Sequence, residues 1–169
     1  MRPETERQFR ELLEQHDREF LRTTTRAGMQ AMDERAFDTR FHEHVKTTVA
    51  PVMARLRALM HDHGLQSGLV IGERRVDADG RITPSSVTFE FRVLTDPETH
   101  GFPNTTPTLA FVADPATGMV LVQENSFLPF LGGHVGVIDR IPLDGLTAEA
   151  VETHLLAIAR KVLRGTGAS

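Results

Sequence analysis

Apolar positions recur through Glu34–Gly64 at alternating spacings of four and three, at Val45, Val49, Val52, Leu56 and Leu59. Residues so spaced share one side of an α-helix, so the stretch predicts a helix with one apolar seam. From Glu34 to His63 it would extend about 45 Å, longer than the roughly 35–40 Å width of a compact chain of this size. Its partner is then either the preceding helix, folded back as a hairpin, or the same helix of a second copy. Val45, Val49, Val52, Leu56 and Leu59 are the predicted oligomer interface. Pro51 lacks an N–H and its ring crowds the carbonyl four residues back, which predicts a kink or division near Val49.

Upstream, Phe9, Leu12, Leu13, His16 and Phe20 form a second stripe, on a helix that starts near Pro3–Thr5 with capping-box spacing between Thr5 and Gln8. His16 lies on the stripe and reads as a packed histidine. Thr23, Thr24, Thr25 and Gly28 have low helix propensity, so a break between Thr23 and Asp33 is expected, with Asp33 capping the long helix and Gly64 closing it.

Beyond Gly64 the period changes to two. Leu69–Ile71 begins a strand, Val76–Arg81 reads as a turn, and Val87, Phe89, Phe91 and Val93 alternate with Thr88, Glu90, Arg92 and Leu94. Thr95–Thr106 is a long loop, holding two prolines. Leu109–Val112 and Met119–Val122 form a hairpin around Asp114–Gly118, and Val135, Val137 and Ile141 mark a last strand. Thr147 caps a final helix with Val151, Leu155, Ile158 and Val162 on one face, Leu146 stapling onto Val151 and Gly165 as the stop. The predicted fold is α+β: two N-terminal helices, about five antiparallel strands and one C-terminal helix. It reads as one domain, with a helical arm or hairpin over 1–63, the sheet over 68–141 and the helix over 147–164.

Composition narrows the function. The 169 residues suffice for a single core. There is no cysteine, which excludes disulfides and thiolate metal sites. No apolar run approaches 18 residues and the amino terminus is charged, so a soluble, cytoplasmic protein without a membrane segment is expected. The net charge is −4; residues 1–63 carry eleven Lys/Arg against eleven Asp/Glu, and residues 64–169 eight against twelve. That balance lacks the basic face that nucleic-acid binding requires, Arg55 and Arg57 being the nearest approach to one.

Two matching triplets, His42-Glu43-His44 and His61-Asp62-His63, are the most conspicuous polar feature. On a helix, residues two apart point away from each other, and the triplets lie about 28 Å apart. They meet only if two copies pair antiparallel near Val52 and Met53, which would bring His42 of one copy towards His63 of the other; His42, His44, His61 and His63 are thus the candidate ligands for zinc or nickel, the only cofactor the chain suggests. Gly132, Gly133 and His134 form a glycine-rich turn without the spacing of a nucleotide-binding loop. With Phe130 it is the candidate ligand site; His134 and His100, on separate loops, are the candidate catalytic pair, with Asn104, Glu124 or Asp139 in support. No nucleophile elbow or other catalytic signature is present. The leading expectation is a non-catalytic homodimer, a chaperone-like module that binds a protein or peptide on its sheet. The alternative is a small-molecule binder or enzyme with a pocket between sheet and helices near His100 and His134.

Overall fold

A computed structural model of the chain describes residues 3–92, 106–126 and 133–167, with side chains outside 20–32 and 165–167. The chain divides into two compact units, Met1–Ala36 and Phe37–Ser169. Helix α1 spans Pro3–His44, a π-helical turn spans Val45–Val49, and α2 spans Ala50–Asp62. Then follow β1 (Ser67–Gly72), β2 (Arg75–Val76), β3 (Ile82–Thr83), β4 (Ser86–Phe91), β5 (Thr108–Asp114), β6 (Met119–Asn125) and β7 (Val135–Pro142). A 3₁₀ turn at Leu143–Gly145 leads into α3 (Ala148–Gly167).

The expected break between Thr23 and Asp33 does not form: α1 is continuous through it. Threonine and glycine tax a helix by up to about 1 kcal/mol each, but neither removes a backbone donor as proline does. The first two predicted helices are therefore one continuous helix up to His44. For the same reason Gly165 does not stop α3, which runs to Gly167. At Val45–Val49 the ladder changes: the Ala50 N–H bonds the Val45 carbonyl five residues back, and Pro51 falls in the first turn of α2. A proline there forfeits little, since first-turn donors lack intrahelical partners. Gly64, at φ 74°, closes α2, with the Leu65 N–H on the Met60 carbonyl at 2.8 Å; this is the left-handed closure that suits glycine.

Among the described residues five strands form one antiparallel sheet in the order β1-β4-β5-β6-β7, and β2–β3 is a separate ribbon. The β5–β6 turn rests on Asp114, whose carbonyl accepts the Thr117 and Gly118 N–H groups, with Gly118 at φ 69°. Register places Val87, Phe89, Phe91, Leu109, Phe111, Ala113, Val120, Val122 and Ile141 on one face. All are in the core, together with Phe37, Phe41, Val45, Val49, Met53 and Met60 from the helices before the sheet and Val151, Leu155, Ile158, Ala159 and Val162 from α3. Each of these valine, leucine, isoleucine, phenylalanine and methionine side chains contributes about 1.5–3 kcal/mol on burial. The opposite face carries Val70, Thr88, Ala110, Gln123 and Val137 in one row and adds nothing to that core.

On α1, the predicted stripe residues Phe9, Leu12 and Leu13 are exposed. His16 is also exposed rather than packed; its Nδ1 lies 3.6 Å from Asp17. At α3 the Thr147 hydroxyl accepts the Ala150 N–H at 3.2 Å, and Leu146 and Val151 are both buried.

Candidate functional site

The seam expected to face a second copy is split. Val45 and Val49 are fully buried in the chain's own core, with Met53, and so have no surface left for another subunit. The π turn holds one residue more than an α turn, so positions before and after it no longer align along one face. Val52, Leu56 and Leu59 follow the turn and lie beside the core rather than inside it.

There they form one wall of a groove of about 520 Å³ between α2 and α3. Pro51 and Arg55 complete that wall; Glu152, Leu155, Leu156 and Ala159 form the other. The volume lies within the range of ligand and peptide clefts. Leu59 is 44% exposed and Leu156 53%, large apolar side chains standing at the rim. Among the described residues neither Arg55 nor Glu152 has an ion-pair or hydrogen-bond partner. The groove is thus apolar at its base, with one unpaired cation on α2 and one unpaired anion on α3.

The opposite flank of α3 is polar and engaged. Lys161 Nζ lies 3.0 and 2.8 Å from the two carboxylate oxygens of Glu124 on β6. Two turns earlier, His154 Nε2 is 3.2 Å from Asp139 Oδ2 on β7. The Glu124 side chain is only 1% exposed, whereas Lys161 is 54% exposed. Ser126 Oγ donates to Glu124 Oε2 at 3.1 Å and accepts the His134 N–H at 3.2 Å. A buried carboxylate with a lysine and a hydroxyl around it has its lone pairs satisfied, and it ties α3 to β6, while His154 and Asp139 join α3 to β7.

His134 therefore meets Glu124 only through its backbone and Ser126; its side chain is exposed, as is Gly133. Asp139 serves His154 instead of His134. His100, Asn104, Phe130 and Gly132 lie outside the described residues. The four triplet histidines are dispersed. His44 Nε2 donates to the Leu146 carbonyl at 2.7 Å, and His42 Nε2 lies 3.2 Å from the Ser85 hydroxyl. His61 and His63 are exposed at the end of α2. No group of three metal-ligating side chains occurs among the described residues. Of the two residues about which an antiparallel pairing is expected, Met53 is buried in the core and Val52 lines the groove.

Two of these features had a signal in the sequence. Period-two spacing places Glu124 in line with Val120 and Val122, which marks it as a carboxylate on the buried face. Helical spacing likewise puts Glu152, Leu156 and Ala159 on one flank of α3, distinct from the face of Val151, Leu155, Ile158 and Val162.

No family model, curated protein or solved structure matches this chain. The class defined by its own geometry is a long-helix α+β protein, with a meander sheet covered on one face by helices. No helix among the described residues is long and apolar enough to cross a membrane.

Proposed function

We propose that the protein is a non-catalytic, homo-oligomeric interaction module. Two copies pair through their α2–α3 grooves, and each turns the face of its sheet opposite the core, and the β7 edge, towards a protein or peptide. The observation that carries the reading is the groove itself, with exposed Leu59 and Leu156 beside the unpaired Arg55 and Glu152. A twofold axis along the groove lays α2 of each copy over α3 of the other. Arg55 then faces the second copy's Glu152, twice over, as a self-complementary interface requires. Rim charges of this kind set register and partner choice, while the leucines supply the buried area.

Light scattering with refractive-index detection tests the pairing, since a chain without Trp or Tyr barely absorbs at 280 nm. The expected mass is twice 18.8 kDa. Arg55→Glu sets like charges against each other and is expected to weaken the dimer on the order of 100-fold. Adding Glu152→Arg restores it. A wild-type mass of 18.8 kDa at every soluble concentration overturns the reading.

For the sheet, the supporting feature is β7. It is the last strand in the order, and Val135, Val137 and Ile138 are exposed along it. Ile138 is the extra residue where the register to β6 shifts after Val122. An edge strand of this kind can accept an added strand from an extended peptide. Panning a random peptide display library should enrich β-branched, extended sequences, and Val137→Lys/Ile138→Lys should abolish the enrichment. Equal enrichment on the doubly substituted protein assigns the binding elsewhere.

A further inference from the structure

The pairing groove uses one flank of α2; the other flank carries different chemistry. Arg57 and His61, one turn apart, lie on it and face Leu65, Gln66, Ser67 and Arg92 across a cavity of about 230 Å³. The cavity sits at the corner where β1 begins, and the Arg92 N–H bonds the Gln66 carbonyl at 3.0 Å, holding the end of β4 against it. We infer that this corner binds a small oxyanion, phosphate or a phosphomonoester.

Three observations converge. Arg57 lines the cavity and makes no ion pair or hydrogen bond among the described residues, so no neighbour neutralises its charge. Ser67 Oγ is buried without a hydrogen-bond partner, a cost of about 1–3 kcal/mol that an anion accepting from the hydroxyl removes. Arg92 is held in place by Glu90, whose Oε2 accepts from its Nε at 3.2 Å and its Nη2 at 2.8 Å. That pair lies across Gly68, where a Cβ would come within 2.9 Å of Nη2. The Arg92 guanidinium is thereby fixed, with Nη1 not used by Glu90.

The cationic groups at the cavity are Arg57, Arg92 and, when protonated, His61; the carboxylate bonded to a lining side chain is Glu90. Guanidinium forks match phosphate geometry, and the small volume, below the range of drug-sized ligands, suits a single oxyanion head. The carbonyls that end α2 do not repel it unscreened: those of Leu59, Met60 and His61 accept from His63, Gly64 and Leu65. This inference is independent of the pairing proposed above.

The test compares thermal unfolding, followed by circular dichroism, in inorganic phosphate and in sodium chloride at equal ionic strength. For the wild type a saturable rise in Tm is expected, about 5–10 °C at a hundredfold excess over Kd. Arg57→Gln should lose it, whereas Arg10→Gln on α1 should keep it. Ser67→Ala, which leaves every charge in place, should weaken binding roughly 3- to 10-fold. The same rise in Arg57→Gln as in wild type, or no difference between phosphate and chloride, overturns the inference. Where the rise occurs, a nucleoside monophosphate or sugar phosphate binding at least tenfold tighter than phosphate assigns a phosphomonoester; equal affinity assigns the free anion.

Discussion

Replacing Phe41 with alanine is expected to destabilise the Phe37–Ser169 unit by about 3–5 kcal/mol. Phe41 is fully buried near the carboxyl end of α1, in the same core as Val45, Phe89 and Phe111. Removing the ring forfeits its transfer energy and leaves a cavity that a sheet face and two helices cannot close without shifting together. Leu12 offers the contrast. It lies on the same helix but is exposed, so Leu12→Ala should change stability by no more than about 0.5 kcal/mol. Urea unfolding followed by far-ultraviolet circular dichroism measures both, because the chain has no Trp or Tyr to serve as a fluorophore. Equal effects at the two positions would show that the amino-terminal stripe is buried in solution, and would point to self-association through it.

Lys161→Met should cost about 2–4 kcal/mol, more than its half-exposed position suggests. The cost arises on the other partner. Glu124 is almost completely buried, and without Lys161 its charge retains only the Ser126 hydroxyl. Glu124→Leu combined with Lys161→Met should recover most of the loss, since the double variant buries no charge and the leucine extends the row of Val120 and Val122. A double-mutant cycle that gives additive losses would remove the pair from the account of what holds α3 to the sheet. Hydrogen exchange should show the loss of Lys161 first in α3 and β6, the elements it joins.

Local chemistry was legible where one residue decides one turn. Thr147 caps α3, Asp114 and Gly118 shape the β5–β6 turn, and Gly64 ends α2, each through bonds within a few residues. The alternation around Val87, Phe89 and Phe91 likewise located β4 and its buried face. Propensity misled at Thr23–Asp33 and at Gly165, where weak helix formers stand but no donor is missing. The candidate site was less legible. Glu124 and Lys161 are 37 residues apart, and Arg57 and Arg92 come to one cavity from a helix and a strand end.

By itself the sequence determined the α+β class, the antiparallel strands, the Gly64 end of α2 and the Thr147 cap of α3, because period and capping act through neighbours three or four residues away or two apart. It also carried the five-position seam on the long helix. Tertiary structure decided how that seam is used: Val45 and Val49 go to the chain's own sheet, while Val52, Leu56 and Leu59 meet α3 across a groove. It also took His42 and His44 for Ser85 and Leu146. A periodic pattern states which side of a helix is apolar, but one apolar side can serve a core, a groove or a second molecule; the choice depends on what the rest of the chain brings against it.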